Sequence, residues 1–219
     1  MIEKKYIETP LGSKRSFFYD DTNLKEYRRI VGGLAWPSGD KPGFLCVVGE
    51  DDHKIPRLKT RAYWLLAEYK TNNVDKLVKR CYDLQNRFLI STWFSAVNDV
   101  IMMNFVDKFN SKLSKKKKAI YLSEAPFVGE PHSMKLYANQ ILGMTDPAKK
   151  TLYFGTNSSI PDVLLSLDPE QIKKQRVEEY PHIAALGYII SGLEEPYFDI
   201  SSDYQLQQQY INSRMVSGL

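Results

Sequence analysis

The sequence predicts an α/β domain built on a mixed sheet flanked by helices. Three observations carry this. Residues 30–70 hold three apolar and aromatic runs separated by short stretches of turn-forming residues, the pattern of an antiparallel meander. From Val74 the apolar residues change to helical period. Strand-like and helix-like segments then alternate, and a strand reached through a helix lies parallel to its neighbour by right-handed crossover.

The elements follow in order. IVGGLAWP (30–37) reads as a strand and SGDKPG (38–43) as a turn. FLCVVGED (44–51), an apolar run bounded by turn residues, reads as a buried strand; DDHKIPR (51–57) turns again, and RAYWLLAEYK (61–70) is a third, aromatic-rich strand. In VDKLVKRCYDLQNRF (74–88), Val74, Leu77, Val78, Cys81, Leu84 and Phe88 share one helical face, and Asn73 suits the N-cap. LISTWFSA (89–96) is a fourth strand, NDVIMMNFVDKFN (98–110) a helix, and KKKKAIYLSE (115–124) a basic run leading into a fifth strand. HSMKLYANQIL (132–142) is helical, TLYFG (151–155) a short extended piece, and SIPDVLLSL (159–167) a short helix or apolar run. EEYPHIAALGYIISGL (178–193) is a helix with Pro181 in its first turn and Gly192 near its end. Residues 1–28, polar and aromatic with turn signals at Pro10–Gly12, read as an arm ahead of a domain over 29–196; the glutamine-rich stretch 197–219 reads as a loosely held polar segment.

Composition narrows the function classes. With 43% hydrophobic and 26% charged residues, the chain has enough apolar area to offset the entropy of ordering. No apolar run approaches the ~20 residues that span a bilayer. The opening MIEKKYIETPLGSKRSFFYDD lacks the apolar core of a signal peptide, so a cytoplasmic protein with no membrane partner is expected. A net charge of +4 permits nucleic-acid binding without demanding it. Cys46 and Cys81 sit in apolar segments outside any CxxC pair and read as buried free thiols. The absence of GxxxxGK[ST] excludes an ATPase motor, Gly32-Gly33 is no dinucleotide fingerprint, and no GxSxG elbow occurs. His53, His132 and His182 are too scattered for a zinc site. Tyr63 and Trp64 read as core and cross-strand packing.

Meander, helix, strand, helix, strand and later helices is also the element order of the ribonuclease-H-like fold. IVGGLAWP resembles the first strand of the nuclease domain of phage terminase large subunits, RCYDLQNRFLISTWFSA its first helix and fourth strand, and YPHIAALGYIISGL its late helix. The resemblance covers roughly residues 29–193. It implies a ribonuclease-H-like mixed sheet and two-metal phosphodiester hydrolysis. In that chemistry, carboxylates from the first strand, fourth strand and late helix hold two magnesium or manganese ions ~4 Å apart.

At the positions the resemblance assigns to those ligands, this chain has Ala35, Ser95 (near Phe94-Ser95) and Ala184 or Ala185. The implied reading is a retained nuclease fold with lost metal chemistry, associated with phage or prophage DNA packaging and binding DNA or a packaging protein. A second reading is an active metal-dependent nuclease using Asp40, Asp99 and Glu178 or Glu179 as displaced carboxylates, in which case magnesium or manganese is the cofactor. A third is a protein-interaction domain without nucleic acid. Lys115, Lys116, Lys117 and Lys118 form the clearest charge feature: a solvated loop, or a phosphate-contacting patch joined by Arg28, Arg29, Lys54, Arg57, Lys59 and Arg61.

Overall fold

A computed structural model of the chain describes residues 2–8, 14–97, 99–115, 117–128, 133–166 and 180–193. Eight strands form one mixed sheet: β1 Ile2–Glu8, β2 Lys14–Asp20, β3 Lys25–Ala35, β4 Gly43–Lys54, β5 Arg61–Thr71, β6 Trp93–Ser95, β7 Leu122–Glu124 and β8 Leu152–Tyr153. The described helices are α1 Val74–Phe88, α2 Val100–Asn110, α3 Ser133–Thr145, α4 Ile160–Ser166 and α5 Pro181–Gly192. The expected α/β architecture is present, with helices on both faces of the sheet.

The meander occupies the centre: β3 pairs antiparallel with β4, and β4 with β5. On its free side β3 changes partner along its length. Its first residues pair antiparallel with β2, while Gly32, Gly33 and Leu34 pair in parallel with β6. β7 adds in parallel to β6, and β8 in parallel to β5 on the far side. The residues expected to form an arm therefore extend the sheet: β1 and β2 make a hairpin, and β3 begins at Lys25, ahead of the expected boundary at 29. Residues 197–219 lie outside the described residues.

Because β3 and β4 have a helical layer on each face, both sets of alternating residues are apolar. Ile30, Leu34, Trp36, Leu45 and Val47 pack on the face covered by α1 and α2. Val31, Ala35, Phe44, Cys46 and Val48 pack on the opposite face, under α3, α4 and α5. Helix α1 follows the expected pattern, with Leu77, Val78, Cys81, Leu84 and Phe88 buried and Asn73 accepting from the Lys76 amide at 2.9 Å. Both cysteines are buried and free, and burial raises both thiol pKa values.

The fourth and fifth strands are shorter than their apolar runs suggest, three residues each. The chain before β7 is held instead by side-chain amides. Gln85 of α1 donates to the Lys118 and Ala119 carbonyls, and Asn110 of α2 exchanges bonds with both main-chain groups of Ile120. These bonds satisfy main-chain groups that would otherwise need a strand partner.

Candidate functional site

The region implied by the resemblance lies where α5 crosses the sheet. Helix α5 is apolar on every side, and residues 183–190 are all buried, as expected for a helix enclosed between a sheet and other helices. Small residues let it lie against β3. A Cβ built on Gly33 would overlap the Ala185 carbonyl and stand 2.9 Å from Cγ1 of Ile189. Gly187 makes the same allowance for the ring of Tyr137 on α3. Pro181 occupies the start of the helix, where its missing N–H costs nothing.

The three alanine and serine positions meet in this region but do not share one side of the sheet. Ala35 is 4% exposed and faces α5; Ala184 is fully buried within α5, one residue before the Ala185 carbonyl that meets Gly33. Ser95 stands in register with Leu34, and its hydroxyl donates to the Leu34 carbonyl at 2.7 Å. Its neighbours on β6 divide between the faces: Trp93 packs on the α1 side, whereas Phe94 and Ala96 pack on the α5 side. Alternation along the strand thus puts Ser95 with Trp93. Phe94 on β6 and Ala96 just beyond it share a side with Ala35 and Ala184.

Of the displaced carboxylates, Asp40 and Asp99 are described, and neither belongs to a group of side chains close enough to share an ion. Asp40 is exposed in the turn after β3. Asp99 is the N-cap of α2 and accepts from the Met102 amide at 3.1 Å. Glu178 and Glu179 lie outside the described residues. Among the described residues, Glu26, Asp52 and His53 are the histidine and acidic side chains close enough to share an ion, and none was expected at the site. Two methyl groups and a hydroxyl engaged with a main-chain carbonyl do not fit a hard divalent cation.

Polar groups do border the region. Phe44, in register with Ala35 on one side and Lys70 on the other, packs against the His182 ring at 4.2 Å between centroids. Glu68 accepts from the Ser158 hydroxyl and the Ser159 amide, fixing the approach to α4. Burial, then the Lys70 charge, lowers the His182 pKa, and Glu68 partly opposes them. The fold therefore favours the neutral imidazole, while in the unfolded chain it takes a proton below about pH 6.5. Between that value and the lowered one the unfolded state binds more protons, so stability falls as pH falls. Denaturant titrations at pH 7.5 and 5.5 should show this loss, and His182→Gln should shrink it.

The basic run is exposed where it is described, at Lys115, Lys117 and Lys118, and the Lys118 ammonium reaches the Ile90 carbonyl at 3.4 Å. Lys116 lies outside the described residues. Trp64 stacks on Tyr153 across the β5–β8 pair at 4.4 Å, and Tyr63 is buried, in line with the packing role expected for both. Among the described residues no helix is long and apolar enough to cross a membrane. No protein-family model and no curated protein matches this sequence.

Proposed function

We propose that the chain is a ribonuclease-H-like domain of the terminase nuclease type that has lost its metal centre and serves phage or prophage DNA packaging by binding DNA. The observation that carries this reading is the course of the sheet. Five of its eight strands run β5-β4-β3-β6-β7, with β4 antiparallel to both neighbours and β6 and β7 parallel to β3. That is the strand arrangement the resemblance implies, and α5 crosses β3 where the late helix of that fold would deliver its carboxylate. Fold alone does not carry function; the side chains at that crossing do. Alanines at 35, 96 and 184 carry no metal-binding atom in their side chains, while the lysine-rich loop at 115–118 offers charge for a phosphate backbone.

The active-nuclease reading needs Asp40 and Asp99 to reach one point with Glu178 or Glu179. Asp99 instead satisfies the amides at the start of α2. Calorimetric titration with manganese should show no tight site, and a supercoiled plasmid incubated with protein and manganese should stay uncut. The same protein should retard a labelled DNA duplex at low salt and release it as salt rises. Two tight manganese sites accompanied by cleavage would replace this reading with the active nuclease. Absence of DNA binding at low salt would leave the protein-interaction reading.

A further inference from the structure

The two ends of the sheet differ in charge, and strand direction decides which connections meet at each end. Strands β3, β6 and β7 run parallel, as do β5 and β8. The chain entering β7 therefore lies at the same end as the start of β3. That end also holds the β4–β5 connection, because Lys54 pairs with Arg61. The chain entering β8 joins them, because Thr151 accepts from the Tyr63 amide at 2.7 Å. These three connections read SKLSKKKK (111–118), KIPRLKTR (54–61) and DPAKK (146–150). Together they hold eleven lysines and arginines against one acid, Asp146, and the β2–β3 connection, which reaches the same end because Asp20 pairs with Lys25, adds Asp20 and Asp21. At the opposite end, where the vacated centre lies, WPSGDKP (36–42), NN (72–73), AVND (96–99) and FGTNSS (154–159) hold one lysine and two aspartates.

Arginines fill the middle of the basic end. Arg28, Arg29 and Arg61 all approach the buried carboxylate of Glu50, with Arg29 and Glu50 facing each other across β3 and β4. The Arg61 Nε atom is buried without a hydrogen-bond acceptor, 3.9 Å from the Glu50 carboxylate. Glu26, Asp51 and Asp52 lie on the same stretch of strand, so the cations that dominate are those of the three connections. Across the sheet β7 and β8 stand five strand spacings apart, about 24 Å at ~4.8 Å each, with β6 and β7 beginning level with Gly32, further along β3 than the β4–β5 connection. A duplex strand advances that distance in about seven base pairs at ~3.4 Å each.

We infer that this end of the sheet, remote from the vacated centre, is a phosphate-binding border that holds DNA along its backbone. The inference rests on the DNA-binding reading above and moves the contact away from the α5 crossing. Lys115–Lys118 becomes one part of a three-loop surface. Recognition of this kind is indifferent to base sequence and releases counterions, so affinity falls steeply with salt.

Fluorescence anisotropy with a labelled 20-base-pair duplex, titrated across salt concentrations, tests the border loop by loop. Three variants neutralise exposed side chains: Lys54→Gln/Arg57→Gln/Lys59→Gln, Lys112→Gln/Lys115→Gln/Lys117→Gln and Lys149→Gln/Lys150→Gln. Lys41→Gln/Lys70→Gln at the opposite end is the control. Circular dichroism confirms that each variant is folded. Each border variant should weaken binding by about tenfold at low salt and flatten the log–log salt slope by about 0.9 for each phosphate contact removed. The control should bind like the parent. DNA binding that responds only to the 112–117 variant, or equally to the control, overturns the border while leaving the DNA-binding reading in place. Binding to phosphatidylserine vesicles with none to DNA overturns both.

Discussion

Aspartates placed together at 35, 96 and 184 should unfold the chain in chelator and let manganese refold it. Ala35 and Ala184 are 4% and 0% exposed, and Ala96 packs on the same side of the sheet. An ionised carboxylate buried without a partner costs several kcal/mol, and three around one point repel one another and raise their pKa values. The Ala35→Asp/Ala96→Asp/Ala184→Asp protein should therefore lose its cooperative melting transition in EDTA at neutral pH. A divalent ion that binds only the folded state restores stability by mass action, about 2.7 kcal/mol at a hundredfold excess over its dissociation constant. Manganese is the better probe, since it accepts the same oxygen ligands as magnesium and generally binds more tightly. The comparison variant Ala35→Asp/Ser95→Asp/Ala184→Asp should be rescued far less, because position 95 turns toward Trp93 on the other face. Cleavage need not return, as groups that orient the ligands are a separate requirement. If manganese leaves the melting behaviour of both triple variants unchanged, the α5 crossing is not a former metal centre and the terminase-like reading falls.

The contrast between positions 95 and 96 marks where sequence reasoning stops. In a strand with one wet face, alternation of polar and apolar residues tells which side chains share a side. Here TWFSAV offers no such contrast, because β6 lies under helices on both faces and Trp93, Phe94 and Ala96 are all apolar. The meander, α1 with its Asn73 cap and the enclosed α5 were legible, since each has a strong period or clear end signals. The pairing of β1 with β2 was not, although turn-forming residues at Pro10–Gly12 were evident in the sequence, because KEYRR at the start of β3 is too polar to announce a strand. The basic end was legible in part, as Lys115–Lys118 joined by Arg28, Arg29, Lys54, Arg57, Lys59 and Arg61, but the share of Lys149 and Lys150 was hidden. It depends on β8 running parallel to β5, and a strand of two residues carries no direction in its sequence. Of the candidate residues, Asp99 was a capping residue in a position that equally suits a ligand; only its bond to the Met102 amide separates the two.

Gly33→Ala should be among the most damaging single-methyl changes in the protein. Gly33 is where α5 touches the central strand, and the added Cβ would stand 2.8 Å from the carbonyl carbon of Ala185 and overlap its oxygen. That obstacle is helix backbone, so no side-chain rotation relieves it. The helix must lift off β3, and Ala184, Ala185 and Ile189, all fully buried now, lose contact with the sheet. Overpacking a close-packed interior costs about 1–3 kcal/mol, and a backbone obstacle belongs at the upper end of that range. Gly143→Ala supplies the opposite sign. Gly143 lies exposed in α3 with nothing within 4 Å of an added Cβ, and alanine there should stabilise the helix by about 0.5–1 kcal/mol. Paired denaturant titrations should therefore move the two midpoints in opposite directions. A Gly33→Ala protein as stable as the parent would mean that α5 does not seat on β3, and the site built at that crossing would go with it.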